Sequence, residues 1–198
     1  MRKNALIGLI GLFVGAALIL GIRFVRYQPR EETHYHANFA VYVNGEREAF
    51  RDVSYYEETG GVPCAEEETD TPGSRTHMHG NVNDVVHVED EAVTWGHFFQ
   101  VLGWDIGDEF IKTDGGLLVA DGDNKLTYIL NGEPAVGIAG RVIDDRDKLL
   151  VSYGADQDTV GQYGSIADTA EKYNLQKDPA GCGGSAEPSF RDRLRTLF

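Results

Sequence analysis

Five of the six histidines in this chain belong to polar pairs whose members are two residues apart. The pairs are His34 with His36, His77 with His79, and His87 with Glu89. Side chains two residues apart in a β-strand point to the same face, roughly 6–7 Å apart, so each pair can offer two ligands to one ion. The spacing therefore favours a β-rich fold that carries its polar ligands on one face of a sheet.

The residues around the first pair alternate as a half-buried strand does. Between residues 34 and 44 the odd-numbered positions are apolar, whereas both histidines occupy even-numbered ones. The Asn-Gly dipeptide that follows predicts a two-residue turn and a return strand over residues 46–50. The first histidine pair is therefore predicted to point away from the hydrophobic core.

The other two pairs show the same arrangement. In residues 85–90 the valines at 86 and 88 alternate with His87 and Glu89, which predicts a strand with its ligands on the polar face. Met78 lies between the histidines of the second pair, so a regular strand turns it toward the core and away from any ion. Residues 51–75 contain glycine, proline and an acidic run without periodicity, which predicts a long loop.

One helix is predicted from Thr94, a good N-cap residue. Trp95, Phe98, Phe99 and Leu102 follow at helical spacing, and a glycine at 103 predicts its end. His97 lies off this apolar stripe and is the weakest ligand candidate of the six. Further strands are predicted over residues 121–130, before a second Asn-Gly turn, and over 148–153, and a weak helix near 166–173.

These elements predict an α+β fold, a small mixed β-sheet with one crossing helix in a β-grasp-like arrangement, preceded by a transmembrane helix. A β-sandwich is the alternative, and the helix that begins at Trp95 argues against it. The predicted organisation is an anchor over 1–26, a linker over 27–33, a histidine-rich domain over 34–154 and a C-terminal extension over 155–198, with a mobile tail after Cys182.

The anchor is predicted from nineteen residues without a charge, Asn4 to Ile22, close to the roughly 20 that a membrane-spanning helix needs. Basic residues flank both ends, so charge does not decide the orientation. Cys64 and Cys182 are the only cysteines and form no C-x-x-C motif, which favours one structural disulfide made in an oxidising compartment over two unpaired thiols. We therefore expect a single-pass protein of the cell membrane with its domain outside the cytoplasm.

The charge balance restricts the partners. After the anchor, fourteen basic residues oppose all thirty-two acidic ones, a net charge of −18, so nucleic acid and anionic lipid are unsuitable partners. The anchor carries Gly11 and Gly15 at a spacing that permits close helix contact, so a membrane-protein partner or a second copy of the chain is an open alternative. Most of the acidic residues are expected to form a solvated surface.

The histidine pairs favour a transition-metal site, because neutral imidazole suits copper, zinc, nickel and iron. The predicted ligands are the members of the three pairs: His34, His36, His77, His79, His87 and Glu89. The competing interpretation is a polar histidine cluster, hydrogen-bonded to Asn38, Asn81, Asn83 and Glu89, or a protonation switch near pH 6. Copper or zinc is the expected ion.

Binding without catalysis is the favoured function, since the chain has no H-E-x-x-H, no G-x-S-x-G and no phosphate loop. A metal-dependent hydrolase or redox enzyme remains the alternative, in which three histidines leave a position open and Glu89 acts as general base. A third possibility is an accessory or scaffold subunit of a membrane complex.

Several segments together resemble an uncharacterised family of membrane-anchored, single-domain proteins from small-genome bacteria and archaea. They cover most of the chain after the anchor. They are residues 34–45, Thr76-His-Met-His79, Val85-Val-His-Val-Glu-Asp90, residues 93–99, 149–154 and 178–184. The resemblance implies an extracytoplasmic domain and brings no established activity. Members are sometimes labelled disulfide isomerases, but without C-x-x-C this chain has no neighbouring thiol to resolve a mixed disulfide.

Overall fold

The computed structural model describes residues 2–26, 33–56, 72–80 and 82–175. Helix α1, Arg2–Arg26, belongs to one unit, and the described residues from Thr33 onward belong to a second, compact unit. Within α1, Ile7–Arg26 is a candidate membrane span with a mean hydropathy of 2.2. The predicted anchor is therefore a helix long and apolar enough to cross a bilayer, and the linker lies almost wholly outside the described residues.

The compact unit is built on a mixed sheet. Its central pair, β1 (Tyr35–Val43) and β10 (Lys148–Gly154), runs parallel, and the other described pairings in the sheet are antiparallel. The remaining strands are β2 (Glu46–Arg47), β3 (Thr76–His77), β4 (Val85–Val88), β8 (Lys125–Leu130) and β9 (Glu133–Ala135). The order is β3-β4-β1-β10-β8-β9, with β2 paired to the far end of β1. This confirms a mixed α+β fold.

Along the chain, the strands of a smaller three-stranded antiparallel sheet come between β4 and β8 of the main sheet. Its strands are β5 (Asp105–Ile106), β6 (Phe110–Thr113) and β7 (Gly116–Val119). This sheet was not predicted, because its strands are short and only two of their residues are buried, so they show little alternation.

Four short helices accompany the sheets in the described part of the compact unit: α2 (Pro72–Arg75), α3 (Trp95–Val101), α4 (Thr159–Gly164) and α5 (Ala170–Asn174), with single 3-10 turns at Val53–Tyr55 and Ile138–Gly140. Helix α3 begins as predicted, with Thr94 as N-cap. The hydroxyl of Thr94 accepts from the His97 backbone N–H, and the His97 ring accepts from the Thr94 N–H. His97 is exposed and has a capping role.

The main hydrophobic core lies on one face of the sheet, under α3. Phe39 of β1 meets Phe98 of α3 edge-to-face at 4.9 Å between ring centroids, and Trp95 is fully buried beside them. Met78 is also fully buried in this core, which confirms the prediction that it faces away from the histidines. Burying these large side chains supplies most of the stabilisation of the fold.

The opposite face of the sheet is covered by α4, α5 and the segment between them. Ala40, Leu150 and Ile166 form a second, smaller core there. Asn38, only 1% exposed, fastens α5 to β1: its Oδ1 accepts from the backbone N–H groups of Thr169 and Ala170 at 3.0 and 2.9 Å. The polar face of β1 is therefore enclosed by protein.

Both predicted Asn-Gly turns are present. Asn44 and Gly45 have φ of 52° and 83°, and the second pair repeats this geometry at 53° and 87°, as a type I′ turn requires. The return strand after the first turn is shorter than predicted, since β2 ends at Arg47. The predicted helix near 166–173 is replaced by two short helices, of which α5 ends at Asn174. The predicted disulfide between Cys64 and Cys182 lies outside the described residues, as does the predicted mobile tail.

Candidate metal centre

Three histidines form a row across three neighbouring strands. In the antiparallel pairing of β1 with β4, His36 lies opposite His87, and in the pairing of β3 with β4, His77 lies opposite the same His87. Cross-strand partners on one face of a sheet have Cβ atoms about 4.5–5.5 Å apart, so the register places the imidazoles in contact. His87 is the middle member of the row.

The remaining candidates flank this row. His34 precedes β1 by one residue, and its ring centroid is 5.1 Å from that of His36 and 4.5 Å from that of His87. His79 follows β3, with its ring centroid 4.4 Å from that of His77 and 4.5 Å from that of His87. The other four rings therefore surround the ring of His87.

The five rings form two overlapping sets. One set is His34, His36 and His87, and the other is His77, His79 and His87; within each, one nitrogen per ring lies within 4.8 Å of the others. Three convergent imidazoles are the ligand set that copper and zinc use in proteins. Either set could hold a metal ion.

The ring orientation of His77 is set by the backbone before it. Its Nδ1 lies 2.7 Å from the carbonyl oxygen of Gly73, which only accepts, so Nδ1 carries the proton and donates. In the neutral ring the lone pair is then on Nε2, which lies 2.8 Å from Nε2 of His79. A hydrogen bond from the far ring nitrogen to a carbonyl is the usual way in which proteins orient a metal-binding histidine.

His36 has an equivalent arrangement with a side chain. Its Nδ1 lies 2.8 Å from Oδ1 of Asn174, at the end of α5, and Nδ2 of Asn174 donates to Oδ1 of Asp145 at 2.7 Å. Because a carboxylate only accepts, Asp145 fixes which way the amide points, so the amide oxygen faces His36 and receives its proton. His36 therefore also directs its Nε2 lone pair into the cluster.

The cluster is dry. His36, His77 and His87 are 5, 2 and 4% exposed, and the ring of Tyr173 on α5 lies 5.8 Å from that of His36. Burial, followed by the neighbouring histidines, holds the pKa of His87 far below its ordinary value. The ring is therefore neutral at physiological pH, the form that coordinates metal.

Glu89 lies at the edge of the cluster. Its Oε1 is 3.2 Å from Nε2 of His87, and its side chain is 17% exposed. The carboxylate is not a member of either three-ligand set among the described residues. Its position permits it to orient or to bind beside His87, as a carboxylate next to a ligating imidazole commonly does.

The competing hydrogen-bonded interpretation named four partners for the histidines. Asn38 instead bonds to Asp84, Thr169 and Ala170, and Asn83 donates to the carbonyl of Ala49. Glu89 contacts His87, and Asn81 lies outside the described residues. Two of the four predicted partners are therefore engaged elsewhere.

The groups that hold the ligands in place could not be found from the sequence. Asn174 is 138 residues from His36 along the chain, and no spacing connects them. The carbonyl of Gly73 belongs to the backbone and leaves no side-chain signal. Asn38 on the ligand face of β1 was the one available signal, because a buried amide needs hydrogen-bond partners and so indicates that other polar groups cover that face.

A scan against protein-family models and searches of curated proteins and of solved structures return no match to this chain. The geometry of the candidate metal centre and the apolar helix α1 are therefore the structural observations that bear on function.

Proposed function

We propose that this chain is a membrane-anchored, extracytoplasmic protein that binds a transition-metal ion, copper or zinc, without catalysing a reaction. The observation that carries the proposal is the convergence of five imidazoles, from β1, β3, β4 and the residues beside these strands, on one enclosed face of the sheet. Histidines that serve only as polar surface residues would not be expected to converge in one cluster.

The choice of ion rests on the donor atoms. The described cluster offers imidazole nitrogens with a single carboxylate beside them, which suits copper and zinc and does not suit magnesium or calcium. His36 and His77 are oriented by acceptors behind them, and burial keeps His87 neutral. An ion that binds His87 would therefore meet a neutral ring, which favours binding.

The location and fold are proposed on separate grounds. Leu12 and Phe13 of α1 are 71 and 69% exposed, and a helix with such a surface is stable in lipid. The central parallel pair, flanked by antiparallel strands, supports a β-grasp-like arrangement for the domain. The resemblance to membrane-anchored extracytoplasmic proteins is consistent with a domain on the outer side.

Elemental analysis of the full chain tests the proposal. The protein is purified in detergent without an affinity tag that binds metal, offered zinc or copper, and passed through a desalting column before measurement by mass spectrometry. Stoichiometric metal is expected in the wild type and its loss in His36→Ala/His79→Ala. The matched control is His97→Ala, which removes the one histidine outside the cluster and should keep the metal. Equal metal in all three proteins would reject the proposal.

Glu89 gives the enzymatic alternative one supporting observation, since its carboxylate stands beside His87 on the ligand face. A hydrolase of this kind would lose turnover in Glu89→Gln while the bound metal stayed. The scaffold alternative rests on α1, where the small residues Gly11 and Gly15 have a spacing that permits close contact with a second helix. A scaffold without an ion would return no stoichiometric metal.

A further inference from the structure

We infer that the cluster binds two metal ions, one in each three-histidine set, with the imidazole of His87 shared between them. The inference rests on the proposed function, which requires only one ion. It adds the number of ions and the role of one residue, His87, as the bridge.

The distance between two nitrogens that bind the same metal ion has an upper limit. Two nitrogens bound to the same zinc or copper ion at about 2.0–2.1 Å can be no more than about 4.2 Å apart. Among the described residues, the histidine nitrogens form two sets of three, and within each set the nitrogens lie within 4.8 Å of one another. The nitrogens of all five histidines do not form one such set. The grouping matches two centres better than one ion with five ligands.

The register of the sheet places the two histidine pairs on opposite sides of His87. His36 and His77 lie on strands that flank β4 on opposite sides, and both are paired with His87. Neighbouring strands are about 4.8 Å apart, so the backbones of the two outer histidines are separated by roughly 10 Å. One pair therefore approaches His87 from one side and the other pair approaches from the opposite side.

Each three-histidine set also has its own hydrogen-bond partners. His36 in one set is oriented by Asn174 and Asp145, whereas His77 in the other set is oriented by the Gly73 carbonyl. In the His34 ring, Nε2 is buried and has no hydrogen-bond partner among the described residues. A nitrogen in that condition costs free energy unless an ion or a donor meets it.

The chemistry of imidazole allows one ring to serve both ions. Its two nitrogens lie on different sides of the ring, and each has a lone pair once its proton is removed. When the first ion binds one nitrogen of His87, the second ion replaces the proton on the other nitrogen, and that proton is released to solvent. Two nitrogen–metal bonds form and one N–H bond breaks.

Titration of the metal-free full chain in detergent tests the inference. Copper(II) is added in steps, unbound ion is removed by desalting, and bound copper per chain is measured. Two ions per chain are expected in the wild type and in His97→Ala. One ion is expected in His34→Gln/His36→Gln and one in His77→Gln/His79→Gln, because each double variant retains the opposite pair with His87. The emission of the two buried tryptophans verifies that each variant is folded.

Electron paramagnetic resonance separates a bridge from two independent ions. The doubly loaded wild type should show a signal that is coupled or lost, whereas each double variant should show an ordinary isolated copper(II) spectrum at full spin count. A wild type that stops at one ion per chain, or two uncoupled ions, overturns the inference and leaves metal binding intact. No bound copper in any protein would instead refute the proposed function.

Discussion

Asn38 connects the fold to the candidate metal centre, and Asn38→Ala should destabilise the domain by about 2–4 kcal/mol. The side chain is 1% exposed and makes four hydrogen bonds. Each contributes about 0.5–1.5 kcal/mol net, and water that enters the vacated space can satisfy some of the freed groups. The loss should fall mainly on α5, whose first backbone N–H groups lose their acceptor.

Urea unfolding of the full chain in detergent, followed by tryptophan fluorescence, measures this loss. Both tryptophans, Trp95 and Trp104, are buried in the domain core, so the signal reports the domain and not α1. Asn83→Ala is the matched control, because Asn83 makes one hydrogen bond, to the carbonyl of Ala49, and should cost about 1 kcal/mol. The reasoning is refuted if Asn38→Ala costs no more than its control.

Three further outcomes are expected. Because the pKa of His87 is lowered in the folded chain, the unfolded chain takes up a proton on this ring near pH 6.5 and the folded chain does not. The free energy of unfolding of the metal-free protein should therefore be highest above pH 6.5 and fall by up to about 1.4 kcal/mol per pH unit below it. Urea titrations at pH 7.5 and 5 measure this loss, which should be smaller in His87→Gln. Gly96→Ala should cost about 1–3 kcal/mol, since a Cβ would lie 2.5 Å from the Ala139 carbonyl oxygen, whereas Gly164→Ala, with open space around it, should be nearly neutral; comparable thermal midpoints for the two would contradict this. Met78→Leu should leave bound metal unchanged by elemental analysis, because Met78 is buried on the opposite face, and loss of metal from a folded variant would show that its thioether is a ligand.

The sequence was sufficient where a short-range pattern sets the structure. The alternation along β1 correctly predicted that His36 and the core residue Phe39 lie on opposite faces of the strand. The N-cap residue Thr94 and the apolar stripe that follows it correctly predicted α3. Each of these signals depends on residues fewer than ten positions apart. Spacing of two residues in a strand also correctly grouped each histidine pair.

Long-range features could not be obtained in the same way. The alignment of His36, His87 and His77 in one row depends on strand register, which is fixed by how the sheet packs. The polar face was predicted to point away from the core, which is confirmed, but its enclosure by α5 depends on Asn38 meeting residues 131 positions away. The support of His36 by Asn174 is equally remote.

The central claim is that imidazoles gather around a metal ion, and X-ray absorption spectroscopy of the metal-loaded full chain tests it most directly. For zinc, the account predicts a first shell of nitrogen at about 2.0–2.1 Å with the outer-shell scattering of several imidazole rings. In His36→Ala/His79→Ala that imidazole scattering should decrease. A first shell of sulfur near 2.3 Å, or of oxygen without imidazole scattering, would contradict the account.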